Sequence, residues 1–146
     1  MYNEEFGFDP EEAKIATDQL RQPIQGMLGD FTLQVVLAAL AEGFLGCLKT
    51  AGASETDCQL WAQKLLTLNG RKARRSIERG YREVGEPITR LIQTEGIHPL
   101  AVAYSLTGAM ASIVRQLDGI STAQADEFAN DLIRHINHVR AQGRAR

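Results

Sequence analysis

FTLQVVLAALAEGFLGCLKTA, residues 31–51, decides how the rest of the chain is read. Leu33, Val36, Leu37, Leu40, Phe44, Cys47 and Leu48 recur at steps of three and four, which places them on one face of a helix. Val35, Ala38, Ala39, Ala41 and Leu45 fill most of its other faces. A helix apolar all round is buried on several sides. A membrane span needs ~20 apolar residues with few or no charges. This stretch carries Gln34, Glu42 and Lys49, so it reads as the central helix of a soluble bundle, and no membrane partner is expected. Glu42 has two readings: an acid that reaches the surface or pairs with a base, and a buried carboxylate with a raised pKa.

Ala39, Gly43 and Gly46 add a line of small residues to the same helix. Each glycine costs ~1 kcal/mol against alanine in a helix interior. Close approach of a second backbone would offset that cost. A second helix of the same texture, PLAVAYSLTGAMASIVRQLDG, starts at Pro99 and carries Ser105, Gly108 and Ser112 at matching spacing. The two lines are expected to face each other, with the helices crossing near Gly43 and Gly108.

Around these two helices the punctuation is clear. Asp9 is a good N-cap, Pro10 suits the first helical position, and Glu12 completes a capping-box pattern. Ile15, Leu20, Ile24, Met27 and Leu28 form the core face of that first helix, with a kink expected at Pro23. Gly29 ends it and Asp30 is expected to cap the central helix. After Gly52, Ser54 opens a third helix with Cys58, Trp61, Leu65 and Leu68 inward. A fourth opens at Arg71 and keeps the phase of Ala73, Ile77, Tyr81, Val84, Ile88 and Leu91 through Pro87, where a kink is expected. Gly96 ends it. Gly119 ends the fifth, and Ser121 with Gln124 opens a sixth whose inward stripe is Ala125, Phe128, Leu132, Ile136 and Val139.

The expected fold is all-α: a compact bundle of about six helices, one domain over residues 1–146, with residues 143–146 a frayed tail. Helices two and three echo helices five and six. At an offset of 66, Val36 falls on Val102, Leu40 on Leu106 and Lys49 on Arg115; at 67, Ser54 falls on Ser121 and Trp61 on Phe128. This is the pattern of a pseudo-twofold pair of hairpins.

A length of 146 residues suffices for one real core. The chain opens MYNEEF with no basic, apolar leader, so a cytoplasmic location is expected. Cys47 and Cys58 read as reduced core thiols. Twelve arginines against four lysines, with abundant alanine, suit a bacterial source.

Three of the nine aromatic residues, Tyr2, Phe6 and Phe8, lie in the first eight positions. Solvated tails are poor in aromatics, so residues 1–8 read as an arm that docks on its own domain or on a partner. Charge is uneven. Residues 1–30 hold seven acids and two bases, whereas residues 71–98 hold seven bases and four acids.

Motifs for chemistry are sparse. Glu95-x-x-His98 has the spacing of a di-metal bundle, but it occurs once and Gly96 and Pro99 interrupt it. Asp131, His135 and His138 share a helix face without an obvious second ligand set, so no metal is expected. No phosphate loop or nucleophile elbow is present, and no catalytic residue or cofactor is assigned. Arg71, Lys72, Arg74, Arg75 and Arg79 are the basic candidates for nucleic acid or an anionic ligand. A pI of 5.9 disfavours nucleic acid, whose binders usually exceed about 9. The leading expectation is a small regulatory or adaptor domain that binds a protein partner or itself, as a homodimer. The runner-up is binding of nucleic acid or an anionic ligand through the Arg71–Arg82 face.

Overall fold

The computed structural model describes the backbone of residues 8–69 and 74–144, and the side chains of 8–63 and 77–142. The chain is an all-α bundle of six helices: α1 (Pro10–Asp30), α2 (Leu33–Thr50), α3 (Glu55–Asn69), α4 (Arg74–Gln93), α5 (Pro99–Gln116) and α6 (Thr122–Arg144). Every described element is a helix.

The helix boundaries follow from local chemistry. The Asp9 carboxylate accepts from the Glu11 backbone N–H at 3.0 Å, and Pro10 follows at the first position. Ser54 Oγ accepts from Asp57 N–H at 3.1 Å. Ser121 and Gln124 cap each other: Gln124 N–H donates to Ser121 Oγ at 3.1 Å, and Ser121 N–H donates to Gln124 Oε1 at 2.8 Å. Gly52, Gly96 and Gly119 adopt φ of 110°, 70° and 82° in the turns after α2, α4 and α5, where a side chain would be strained.

One cap differs from expectation. Asp30 is the last residue of α1, and Thr32 caps α2, its hydroxyl accepting from Val35 N–H at 3.3 Å. The separation of the two helices is carried by Phe31 and Thr32, both extended. Pro23 and Pro87 sit inside helices that continue through them.

Burial centres on α2. Val36, Leu37, Ala39, Leu40, Phe44 and Leu48 are fully enclosed. The helix packs most extensively on α5, then on α4 and α3. It is long and apolar enough to cross a membrane, but 61% of it is buried inside the bundle, against those neighbours. α5 is the second hub, packing on α2, α6 and α1. Its Val102, Leu106, Met110 and Val114 are enclosed, and the stripe of α6 from Ala125 to Val139 closes the outer side.

The two small-residue lines do not meet. A Cβ on Gly43 would lie 2.8 Å from Ile88 Cδ1 of α4 and 3.5 Å from Leu106 Cδ1 of α5. A Cβ on Gly108 would have no neighbour within 4 Å, and Gly108 and Ser112 are exposed. The line on α2 therefore faces α4 first. A Cβ on Gly80 of α4 would lie 3.5 Å from the Ala39 Cβ and 3.6 Å from Met27 Cε of α1, so three helices converge there. The reason is that α5 presents its large residues, not its small ones, to α2.

The inward face of α1 is also narrower than expected. Ala13, Ala16, Leu20 and Met27 are buried, whereas Ile15 and Leu28 are 42% and 40% exposed. α1 covers the bundle on one side only, so its apolar stripe is wider than the surface it covers.

Candidate functional site

The line of small residues on α5 looks outward. Ser105, Gly108 and Ala109, with Tyr104, form one wall of a groove whose other wall is α1. Pro10, Ala13, Thr17, Leu20 and Ile24 line that second wall, and Lys14, Arg21 and Gln25 stand at its edge. The groove has a volume of about 510 Å³.

Two features set its shape. Small side chains on α5 leave space that a leucine or phenylalanine would fill. One hydroxyl pair crosses between the walls: Thr17 Oγ1 and Ser105 Oγ lie 2.9 Å apart and share a hydrogen bond. Thr17 also donates to the Ala13 carbonyl at 2.9 Å. The groove follows α1 from Pro10 to Gln25, a rise of about 22 Å. The α5 wall is shorter, running only from Tyr104 to Ala109, a rise of about 7.5 Å. Leu28 continues the same helical line, seven residues past Arg21.

Lys14 and Arg21 make the α1 rim basic, although Arg21 is also paired with Asp18 at 3.1 Å. Surface ion pairs of this kind contribute ~0–1 kcal/mol, so Arg21 can exchange partners at little cost.

Phe8 marks one end of this region. It is 2% exposed and packs on Tyr104 at 5.8 Å and on His98 at 6.5 Å between ring centroids. His98 is the N-cap of α5: its Nδ1 accepts from Leu100 N–H at 3.0 Å. Burial pushes its pKa below the ordinary histidine value, while nearby Glu12 acts in the opposite sense. The docked arm is thus realised at Phe8. Tyr2 and Phe6 lie outside the described residues.

The remaining sequence candidates are not brought together. Arg71 and Lys72 lie outside the described residues. Arg74 and Arg75 begin α4, and their side chains are likewise outside the description. Arg79 is exposed, with its guanidinium carbon 5.7 Å from the centre of the Phe31 ring. Further along α4, Arg82 and Arg90 are interleaved with Glu78, Glu83 and Glu86, all exposed, so the described part of this face carries both signs. Glu42 is exposed on α2 and is not a buried acid; its charge adds to burial in raising the Tyr81 phenol pKa. Burial pushes the Cys47 thiol up to about 12.

Asp131, His135 and His138 separate into two pairs. His135 Nε2 lies 3.5 Å from Asp131 Oδ2, and His138 Nε2 lies 3.2 Å from Asp57 Oδ2 of α3. Trp61 fills the space between them, stacked on His135 at 4.4 Å and edge-on to His138 at 6.0 Å. These histidines fasten α6 to α3. Among the described residues, no three side chains of His, Cys, Asp or Glu are grouped to hold a metal ion.

Sequence reasoning found the small residues of α5 but put them inside. The signal that pointed outward was available in the same helix. Leu106, Met110, Ile113 and Val114 already make a complete inward stripe, and Gly108 with Ser112 falls on the other side of it. No family model, curated protein or solved structure matches this chain.

Proposed function

We propose that the protein is a helical interaction module, a small regulatory or adaptor domain that docks a segment of a partner protein in the α1/α5 groove. The observation that carries this reading is the groove itself: an open, mainly apolar cleft between α1 and the first half of α5, with small residues on its α5 wall and Lys14 and Arg21 on its α1 edge. Peptide segments dock in such grooves through apolar side chains at regular spacing. A rim of Lys14 and Arg21 favours acids beside those apolar side chains, since complementary charge steers encounter and fixes register. The partner segment is therefore aromatic or aliphatic, and acidic.

Panning a random peptide library on the full chain tests this reading. Enrichment of sequences with two large apolar residues flanked by Asp or Glu, lost when the groove is filled by Gly108→Leu, is the expected result. No enrichment, or enrichment untouched by Gly108→Leu, contradicts it. Self-association as a homodimer is the narrower form of the same proposal, with a second copy as the partner. Sedimentation across a concentration series tests it, with a dimer that Gly108→Leu dissociates as the expected result. Strictly monomeric behaviour rejects that narrower form.

A further inference from the structure

We infer that the partner segment taken by the α1/α5 groove is an amphipathic α-helix with acids two turns apart, lying as a third helix in the crease between α1 and α5. This rests on the groove being the docking surface, and it names the shape and charge of what docks there.

The first argument is main-chain hydrogen bonding. A segment laid against apolar walls loses water from the N–H and C=O groups that face them, and each such group needs a partner. The groove offers very few. Both walls are helices, whose main-chain groups are consumed by their own ladders. The two hydroxyls between the walls are engaged as well: Thr17 donates to the Ala13 carbonyl, and Thr17 Oγ1 and Ser105 Oγ bond each other. An extended segment would leave its inward main-chain groups unpaired. A helix brings its own ladder and presents only side chains.

The recurring ways of seating a peptide lead to the same shape. Strand addition needs a sheet edge, and every described element is a helix. Polyproline segments need a cleft lined with aromatic rings, and Tyr104 is the one aromatic among the described lining residues. Phosphate recognition needs clustered arginines, and the one arginine at this groove, Arg21, is paired with Asp18. A helix laid against an apolar crease needs none of these.

Size and charge fit a helix too. Gly108 is exposed, with no atom within 4 Å of where its Cβ would lie, and Ser105 and Ala109 beside it are small. Packed helix axes lie ~8–10 Å apart, the distance depending on the side chains at the contact, so this wall accepts a close approach. The α5 wall rises about 7.5 Å, enough for two inward residues of a docked helix at i and i+4, which are ~6 Å apart along its axis. Lys14 and Arg21 are both exposed on the α1 edge. Seven residues separate them, about 10.5 Å along α1. Acids seven apart on a helix lying beside α1 have the same spacing, and complementary charge fixes which flank of that helix faces α1.

Two peptide libraries panned side by side on the full chain test this. One fixes large apolar residues at i and i+4 with Asp or Glu seven apart. The other has the same composition with its apolar residues alternating, as in a strand. Enrichment from the first library only is expected, lost on Gly108→Leu, with carbon chemical shifts of a labelled selected peptide turning helical on binding. Proline at a central outward position of that peptide should weaken binding at least ~10-fold. Lys14→Glu with Arg21→Glu, which changes only exposed side chains, should weaken it ~3–10-fold, and less at high salt. Equal or better enrichment from the alternating library, or binding unchanged by the proline, overturns the helix and leaves the docking groove standing. Binding indifferent to the charge reversal overturns the acidic spacing. A dimer dissociated by Gly108→Leu puts a second copy in the groove and overturns the inference of a separate partner. If only the random library yields groove binders, this inference alone fails; if no library yields any, both readings fail.

Discussion

Gly43 and Gly108 sit in helices of almost the same texture, yet one is locked in the core and the other floors an open groove. Around Gly43, Ile88 of α4 and Leu106 of α5 leave no space for a Cβ without movement. Around Gly108 there is nothing within 4 Å. The difference comes from the neighbours. At Gly43 α2 is enclosed between α4 and α5, so the space left by the missing side chain is filled by large side chains of those helices. α5 has α1 laid across one flank, in contact at Thr17 and Ser105 but not closed over Gly108. A small residue in a helix reports close packing only where a partner's side chain reaches it.

The largest expected effect is at Gly43. Gly43→Leu must displace Ile88 and Leu106 together, and overpacking of this kind costs roughly 1–3 kcal/mol or more. Urea denaturation should show the loss at every protein concentration. A variant with wild-type stability would mean that α4 is not held against α2 as described. Gly43→Ala is milder, because the nearest atom is the terminal carbon of a flexible side chain.

Gly46 is the counter-case on the same helix. It is exposed and a Cβ there meets nothing within 4 Å. Gly46→Ala removes the glycine penalty and should stabilise by about 0.5–1 kcal/mol. A thermal melt that moves down instead would show that Gly46 is in a packed seam after all.

A smaller effect belongs to His98, which joins Phe8 to the start of α5. Its Nδ1 must be unprotonated to accept from Leu100 N–H, and burial holds its folded pKa below the unfolded value of about 6.5. The unfolded chain then binds more protons in that window. Stability from this source is complete above about pH 6.5 and is lost as pH falls through the lowered folded value. His98→Asn keeps a capping acceptor without the titration. Denaturation at pH 7.5 and pH 5 should show the wild type losing more stability on acidification than His98→Asn. An equal loss in both would separate His98 from the pH response.

The helices and caps were legible because they depend on neighbours in sequence. Asp9-Pro10, Ser54-Asp57 and the Ser121-Gln124 box each name a boundary that the hydrogen bonds realise. The cap of α2 was misplaced by two residues because Asp30 and Thr32 are both good caps. The extended backbone at Phe31 and Thr32 chooses between them. The groove was not legible for a different reason. Spacing shows that Ser105, Gly108 and Ser112 share a side of α5, but only the placement of α1 shows what that side meets. The Trp61–His135 stack is likewise a meeting of α3 and α6 that no spacing within either helix contains. The basic face at Arg71, Lys72, Arg74, Arg75 and Arg79 was conspicuous as composition. Where the face is described, glutamates interrupt it.

The central claim is that the small-residue line of α5 is an open surface and not a packing seam. Urea denaturation of Gly108→Leu beside Gly43→Leu tests it most directly. With open space around Gly108, Gly108→Leu should fall within about 0.5 kcal/mol of wild type, as surface substitutions do, while Gly43→Leu loses its 1–3 kcal/mol or more. A loss in Gly108→Leu as large as that in Gly43→Leu would contradict the account, because it would place Gly108 in the core and close the groove.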